Sequence, residues 1–233
     1  MAGWGLLAPV EIEAILLSLK VACWAVLAGL PVGVFLAWVL SRLNFPGKTL
    51  LDALVHMPLV LPPVVTGYLL LVLLGRRGVI GRWLSDHLGI TLAFTWKGAV
   101  LAALVMSLPL MVRAVRLSFD SVDQGLEDAA GTLGAGPWRS FFTITLPLTV
   151  PGILTGSILA FARSLGEFGA TITFVSNIPG QTRTIPIAIY SLTQVPDGEA
   201  PAMTLCLVAA AISFISLVFS ELLTRKAARV IKG

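Results

Sequence analysis

The sequence predicts an all-α integral membrane protein that crosses the bilayer five times within a single domain, residues 1–233. Its mean hydropathy is +0.93 and only 12% of its residues are charged, whereas soluble domains carry about 25%. Five apolar segments also exceed the roughly 20 helical residues that span the hydrocarbon core. A chain of 233 residues is of the right length for one helical domain of this kind.

The apolar segments place the spans at about 14–41, 50–75, 98–119, 150–175 and 202–224. An N-terminal or re-entrant segment would raise the number to six. The second span cannot be a regular helix, because it contains Pro58, Pro62, Pro63 and Gly67. Broken helices in transporters are tolerated where they line a cavity, so this span is predicted to line the transport path. A static kink is the alternative.

Two connections carry recognisable features. A segment of about two turns between the second and third spans contains Trp83, with Trp96 close behind. Because aromatic rings favour the headgroup level, this segment is predicted to lie at the membrane interface. Residues Ile185–Leu192, in the connection after the fourth span, are predicted to form a short surface helix.

The distribution of basic residues predicts the orientation. With the N-terminus outside, nine Lys and Arg lie inside: Arg42, Lys48, Arg113, Arg116, Arg139, Arg225, Lys226, Arg229 and Lys232. Five lie outside: Arg76, Arg77, Arg82, Lys97 and Arg183. The positive-inside rule therefore favours an external N-terminus and a cytoplasmic C-terminus, although Arg76 and Arg77 oppose it.

The remaining composition argues against several functions. The basic residues flank apolar segments, so the net charge of +4 indicates topology rather than nucleic-acid binding. Cys23 and Cys206 lie inside apolar segments, which suits packing better than a disulfide or a metal site. We find no metal-ligand cluster, paired carboxylates or nucleophile with a base, and so predict no metal and no catalytic residue.

An ATP site is not expected in this chain. Gly47, Lys48 and Thr49 imitate the end of a phosphate-binding loop, but Arg42 stands where that loop needs its first glycine. The segment is better explained as a turn that enters the second span.

The fourth span contains the most polar chemistry. Gly152 and Gly156 form a spacing that lets helices approach closely. Arg163 and Glu167 lie four residues apart and so share a face, with Ser164 beside them. In one interpretation the two charges pair and fix packing, and in the other Arg163 lends positive potential to an anion path. Lys20 in the first span is a second cation, but a long lysine can reach outward to water.

The connection 120–149 is predicted to be a cytoplasmic helix-turn-helix. Asp123 suits an N-cap, and Glu127 and Asp128 suit the positive end of the first helix. Gly134 suits the end of that helix, and Pro137 the first turn of the next. An ordered helical loop of this kind can dock into a groove of a partner, or can be merely a structured connector.

This loop resembles the coupling loop of type I ABC importer permeases, in which Glu-Ala-Ala is followed at fixed spacing by Gly and then Ile-x-Leu-Pro. The matching residues are Asp128, Ala129, Ala130, Gly134, Ile144, Leu146 and Pro147. Asp replaces Glu at 128, and the neighbouring Glu127 is expected to share its role. The resemblance implies the type I ABC importer permease fold and docking of this loop on a separate ATPase subunit.

Further segments resemble molybdate ABC transporter permeases, from about Ile12 to Glu221, in agreement with a transmembrane domain of about 12–222. They include Phe45–Lys48, Leu59–Val65, Phe141–Leu148 and Ser164–Pro186. This resemblance implies a molybdate importer in a bacterial or archaeal inner membrane. Its implied partners are a second copy of the chain, two ATPase subunits that bind the ATP and an external molybdate-binding protein, with no cofactor bound directly.

The residues assigned to an anion path are Pro62, Pro63, Arg163, Ser164 and Glu167. Permeases for sulfate, thiosulfate or tungstate remain alternatives, because no residue physically selects one oxyanion. An ion-coupled secondary transporter is a further alternative from another class, but it would leave the cytoplasmic loop unexplained.

Overall fold

The computed structural model describes the backbone of residues 8–232 and the side chains of 8–219, 221 and 222. Within that range every regular element is a helix. The elements are α1 (Pro9–Arg42), α2 (Lys48–Val60), α3 (Pro63–Leu74), α4 (Val79–Leu88), α5 (Trp96–Asp120), α6 (Gln124–Thr132), α7 (Pro137–Ser140), a π-helical segment (Phe141–Thr145), α8 (Leu146–Leu165), α9 (Gly169–Val175), α10 (Ile185–Leu192) and α11 (Glu199–Lys232).

In the described part of the chain, four stretches of helix are long and apolar enough to cross a membrane: α1, α5, the continuous stretch Pro137–Leu165, and Glu199–Phe219 of α11. The pair α2 and α3 passes the same test together, but it is bent by 115°. Counted as one span, the pair brings the number to five. The predicted all-α membrane class is therefore confirmed.

Helix α5 is the centre of the bundle and packs against α1 on one side and α8 on the other. The contact with α8 is close because glycines face it. A Cβ atom at Gly156 would lie 3.0 Å from the Met111 carbonyl oxygen, and one at Gly152 would overlap the side chain of Ser118. These glycines thus let the two helices approach as the sequence predicts.

Polar contacts mark two opposite ends of the bundle. At the end of α1 and α5, the Ser41 hydroxyl donates to Asp120 at 2.5 Å, and Arg116 pairs with Asp52 of α2 at 3.1 Å. At the other end, the amide of Ile185 donates to the Ser18 hydroxyl at 2.7 Å. Lys20 lies at this second end, with its ammonium 3.9 Å from the centre of the Trp96 ring. Lys20 is exposed, as expected, and its ammonium group also makes a cation–π contact with Trp96.

The helix bounds differ from the predicted spans at the first, fourth and fifth spans. The predicted fourth span, 150–175, is interrupted, because α8 ends at Leu165 and α9 begins at Gly169. The first and fifth helices begin earlier than predicted, at Pro9 and Glu199. The short helix expected at Ile185–Leu192 is present with those bounds, and α4 occupies the predicted interfacial segment.

Candidate functional site

The first half of the loop 120–149 is helix α6, and its ends agree with the sequence signals. The Asp123 carboxylate accepts the amide hydrogen of Gly125 at 2.9 Å, as an N-cap does. Gly134 follows the helix with φ +83°, in the left-handed region that favours glycine. Pro137 then occupies the first turn of α7. The helix and turn are therefore built by local side-chain and backbone chemistry.

Glu127 fixes α6 to the rest of the protein. Its Oε1 atom accepts from Arg42 Nη2 at 2.9 Å and from the Thr145 hydroxyl at 2.8 Å. Arg42 also donates to the Val122 carbonyl at 3.3 Å. The end of α1, helix α6 and the π-helical segment are thus joined at one carboxylate oxygen.

Asp128, the residue at the acidic position of the motif, faces outward instead. It is exposed, as is Ala129, while Ala130 is buried beneath them. Among the described residues Asp128 makes no hydrogen bond or ion pair. The two adjacent acids therefore differ in role: Glu127 holds the loop together, and Asp128 is free to contact a partner.

The same surface presents large apolar side chains. Leu133 is 88% exposed and Trp138 is 75% exposed, with Leu126 and Phe142 also exposed. Apolar side chains of this size on a polar loop indicate a contact surface for another protein. We call this surface, Leu126, Asp128, Ala129, Leu133, Trp138 and Phe142, the docking face.

The second half of the loop is not the separate helix that was predicted. From Pro137 the chain continues as one stretch of helix into α8, through the π-helical segment. Pro147 explains the irregularity, because it has no N–H to donate to the carbonyl of Thr143. The Leu146 amide bonds instead to Phe141, five residues back. Ile144, Leu146 and Pro147 therefore lie at the base of a span.

The bend between α2 and α3 places Pro62 and Pro63 at an exposed corner. Pro62 is the N-cap of α3 and Pro63 its first residue. The predicted irregularity is thus a full break, since proline restricts the preceding residue and removes two backbone donors.

The second break, between α8 and α9, is organised by charge. Arg163 Nη1 lies 2.7 Å from Glu167 Oε2, and the Glu167 side chain is only 2% exposed. The other oxygen, Oε1, accepts the amide hydrogen of Ala170 at 2.8 Å and so caps the start of α9. Ser164 is buried beside them. The geometry is that of the pairing interpretation, in which Glu167 neutralises Arg163.

The two breaks lie side by side. A Cβ atom at Gly169 would lie 2.8 Å from Pro63 Cβ, and one at Gly67 would lie 2.8 Å from the Cα of Ala170. Two glycines therefore bring α3 and α9 into backbone contact. The structure thus places Pro63 against Gly169, two residues after Glu167.

Three residues of the site were missed from the sequence. Arg42 was counted only as a topology signal, and Thr145 was read as an unassigned position within the motif. Thr66 is only 6% exposed, and its hydroxyl has no hydrogen-bond partner among the described residues. The available signal was spacing. Thr66 lies three residues after Pro63, and residues three apart share one face of a helix, here the face toward α9.

Together, a bundle of apolar spans, two adjoining helix breaks and an ordered docking loop define the membrane-spanning subunit of a transporter. The sequence profile described as "Binding-protein-dependent transport system inner membrane component" matches residues 29–229. The chain belongs to this family and is a permease subunit of an ABC importer. This membership decides against the ion-coupled secondary transporter.

Relatives with similar sequences have names in agreement with this family. The chain is 66% identical over 215 residues to "Molybdenum transport system permease protein ModB" of Escherichia coli (strain K12), covering 92% of this chain and 94% of the relative. It is 57% identical over 216 residues to the protein of the same name from Haemophilus influenzae, covering 93% and 94%. It is also 40% identical over 182 residues to "Probable sulfate transport system permease protein cysT" of Chlorokybus atmophyticus, covering 78% and 63%.

Solved structures share the fold. A bacterial ABC transporter involved in import of the acidic polysaccharide alginate matches with a TM-score of 0.75 and 19% identity, covering 94% of this chain and 80% of that chain. The MetNI methionine ABC transporter in an inward-facing conformation matches with a TM-score of 0.69 and 15% identity, covering 97% and 99%. These likenesses confirm the predicted importer permease fold.

Proposed function

We propose that this permease imports molybdate. The observation that carries the proposal is the 66% identity, over 92% of the chain, to a permease named for molybdenum transport. The sequence resemblance implies that the molybdenum is imported as the oxyanion molybdate. The metal is cargo here, and the proposal needs no metal site in the permease.

Sulfate is the second candidate cargo, because a sulfate permease is 40% identical over 78% of the chain. Thiosulfate and tungstate are further oxyanions that the same path would admit. The lower identity to the sulfate relative favours molybdate. In this account an external binding protein makes the first choice of oxyanion and delivers it to the permease.

We infer that the docking face binds an ATPase subunit, which supplies and hydrolyses the ATP. Leu133 and Trp138 are the side chains that would enter a groove of that partner, with Asp128 beside them. The segment that imitates a phosphate-binding loop serves a different purpose. Gly47, at φ +94°, is the turn that starts α2, and Lys48 contacts Asn44 at 3.4 Å.

Movement of the ATPase would reach the membrane through Glu127. Any displacement of α6 acts on Arg42 at the end of α1 and on Thr145 at the base of α8, because one carboxylate oxygen binds both. The docking loop would thereby shift two spans together.

The anion path would run beside the paired helix breaks. Because Glu167 neutralises Arg163, the attraction for an anion would not come from a free guanidinium. The cavity next to Gly166 has a volume of about 250 Å³ and an apolar lining that includes Leu165 and Ile189. A second copy of the chain would supply the facing wall of the path.

The proposed orientation has the N-terminus outside and the docking face in the cytoplasm, where ATP is available. The experiment that tests the cargo uses vesicles that contain the permease, its ATPase and its binding protein. We expect labelled molybdate to accumulate and a hundredfold excess of sulfate to leave the rate unchanged. Competition by sulfate, or accumulation of sulfate in place of molybdate, would overturn the cargo while leaving the class of transporter in place.

A further inference from the structure

Helix α4 and the arginines around it form a surface that the transport function does not use. Arg76, Arg77 and Arg82 fall on the side of the protein that the positive-inside rule leaves poor in basic residues. All three side chains are exposed, and none makes an ion pair in the described part of the chain. The other charged groups nearby are Asp86 and Lys97, and the His87 side chain also lies there. Because the cations outnumber the one carboxylate, the surface is positive.

The position of α4 puts it at the membrane interface. It starts where α3 ends, and Leu74 at that end packs in the same apolar cluster as Trp96 at the start of α5. A Cβ atom at Gly81 would overlap the carbonyl oxygens of Leu74 and Gly75, so α4 lies tightly across the end of α3. With 10 residues, or about 15 Å, α4 is too short to span the bilayer.

One side of α4 presents the large apolar side chains of Trp83 and Ile80, which are 54% and 46% exposed. The Trp83 ring stacks on His87 with their centres 5.2 Å apart. Helix α4 carries Arg82, and Arg76 and Arg77 directly precede it. Large exposed apolar groups on one side of a short helix, with basic residues beside them, are typical of helices that lie in the headgroup layer.

We propose that α4 lies in the outer-leaflet interface, with Ile80 and Trp83 in the acyl boundary and the three arginines bound to phosphates of anionic phospholipids. Guanidinium groups bind phosphate oxygens in pairs of hydrogen bonds, which gives this site its chemistry. Anionic lipid headgroups thereby neutralise the three arginines, whose positive charge on the outer side would otherwise oppose the proposed orientation. The leaflet assignment rests on the proposed orientation of the permease, whereas burial of α4 in lipid does not.

The burial is tested with spin labels in the intact transporter, reconstituted in nanodiscs that contain phosphatidylglycerol. Cys23→Ala and Cys206→Ala supply the background, and Ile80→Cys or Asp86→Cys carries the label; these positions lie about 120° apart around the helix. We expect the label at 80 to be relaxed more by oxygen than by a water-soluble nickel chelate, and the label at 86 to show the reverse. Equal access of nickel to both labels would overturn the proposal, as would protection at 80 only after addition of the binding protein.

The phosphate contacts are tested by native mass spectrometry of the same complex with phosphatidylglycerol as the probe. We expect Arg76→Gln, Arg77→Gln and Arg82→Gln each to weaken lipid retention by about fivefold, since each interfacial charge contributes similarly. Arg139→Gln, an exposed cation in the loop at the opposite end of the bundle, is the matched control and should change retention little. Equal retention by the triple arginine variant and the wild type would overturn the headgroup contacts.

Orientation is read separately with a membrane-impermeant thiol reagent on Asp86→Cys in cells. Labelling from outside agrees with the outer leaflet. Labelling only from the cytoplasm would overturn both the leaflet assignment and the orientation in the proposed function. A change of cargo in the uptake experiment would leave the lipid contacts untouched, so the two failures are distinguishable.

Discussion

Arg42 and Glu127 are 85 positions apart in the sequence, yet they form a 2.9 Å ion pair between the end of the first span and the docking helix. The Arg42 side chain is only 10% exposed in this pair and that of Glu127 30%. Breaking a contact of this kind leaves a largely buried guanidinium with fewer partners, which is costly. The pair therefore gives the docking loop a fixed position relative to the membrane bundle.

The adjacent acids are predicted to respond differently to neutralisation. Glu127→Gln should lower the stability of the isolated permease by about 1 kcal/mol, because it weakens the bonds to Arg42 and Thr145. Asp128→Asn, the matched control, should leave the melting temperature unchanged and weaken ATPase binding. Thermal unfolding and ATPase affinity, both measured in detergent, check this prediction. A melting temperature lowered by Asp128→Asn but not by Glu127→Gln would contradict the assignment.

The turn at Gly134 is predicted to set the shape of the docking face. Gly134→Ala places a side chain in the left-handed region at a cost of about 1–2 kcal/mol, so ATPase binding should weaken. Gly131→Ala is the control, because neither glycine has an atom within 4 Å of an added Cβ and only Gly134 has a positive φ. Affinities of the two variants for the ATPase subunit provide the measurement. If both bind equally well, the backbone of this turn does not determine docking.

The glycine contact between α3 and α9 is predicted to be indispensable for the paired breaks. Gly67→Ala would push a methyl group against the backbone of Ala170, and overpacking of this kind typically costs about 1–3 kcal/mol. Gly166→Ala lies at the other break with open space around it and should be tolerated. We expect the first variant alone to unfold at a lower temperature and to transport more slowly. Equal behaviour of the two variants would contradict the contact.

The role of Glu167 can be divided between its ion pair and its cap. Glu167→Gln keeps an acceptor for the Ala170 amide but loses the charge, whereas Glu167→Ala loses both. A buried amide left without a partner costs about 1–3 kcal/mol, so the alanine variant should be the less stable. The measurement that compares their stabilities is the unfolding temperature of each purified variant. An alanine variant as stable as the glutamine variant would show that the cap contributes nothing.

Local signals in the sequence were sufficient for much of the fold and the docking loop. Hydropathy located the spans, and the Asp123 cap, the Gly134 turn and the Pro137 start are each determined by neighbouring residues. The family resemblance added the function. The roles assigned to the motif residues remain predictions.

Other features depend on contacts distant in sequence and could not be read in advance. Apolar residues resume at Phe168, directly after Arg163 and Glu167, so hydropathy gave no sign that α8 ends at Leu165. The partnership of Arg42 with Glu127 requires α1 and α6 to be placed in three dimensions. The adjacency of the two breaks likewise depends on how Gly67 and Gly169 pack, which no local pattern encodes.

The most direct test of the account is the energy source of uptake. Proteoliposomes would hold the permease, its ATPase and its binding protein, with ATP on the ATPase side or with an imposed ion gradient alone. The account predicts molybdate accumulation with ATP, none with the gradient, and loss of uptake when Glu127→Lys and Asp128→Lys are combined in a permease that still inserts. Accumulation without ATP, or normal uptake by the double variant, would contradict it.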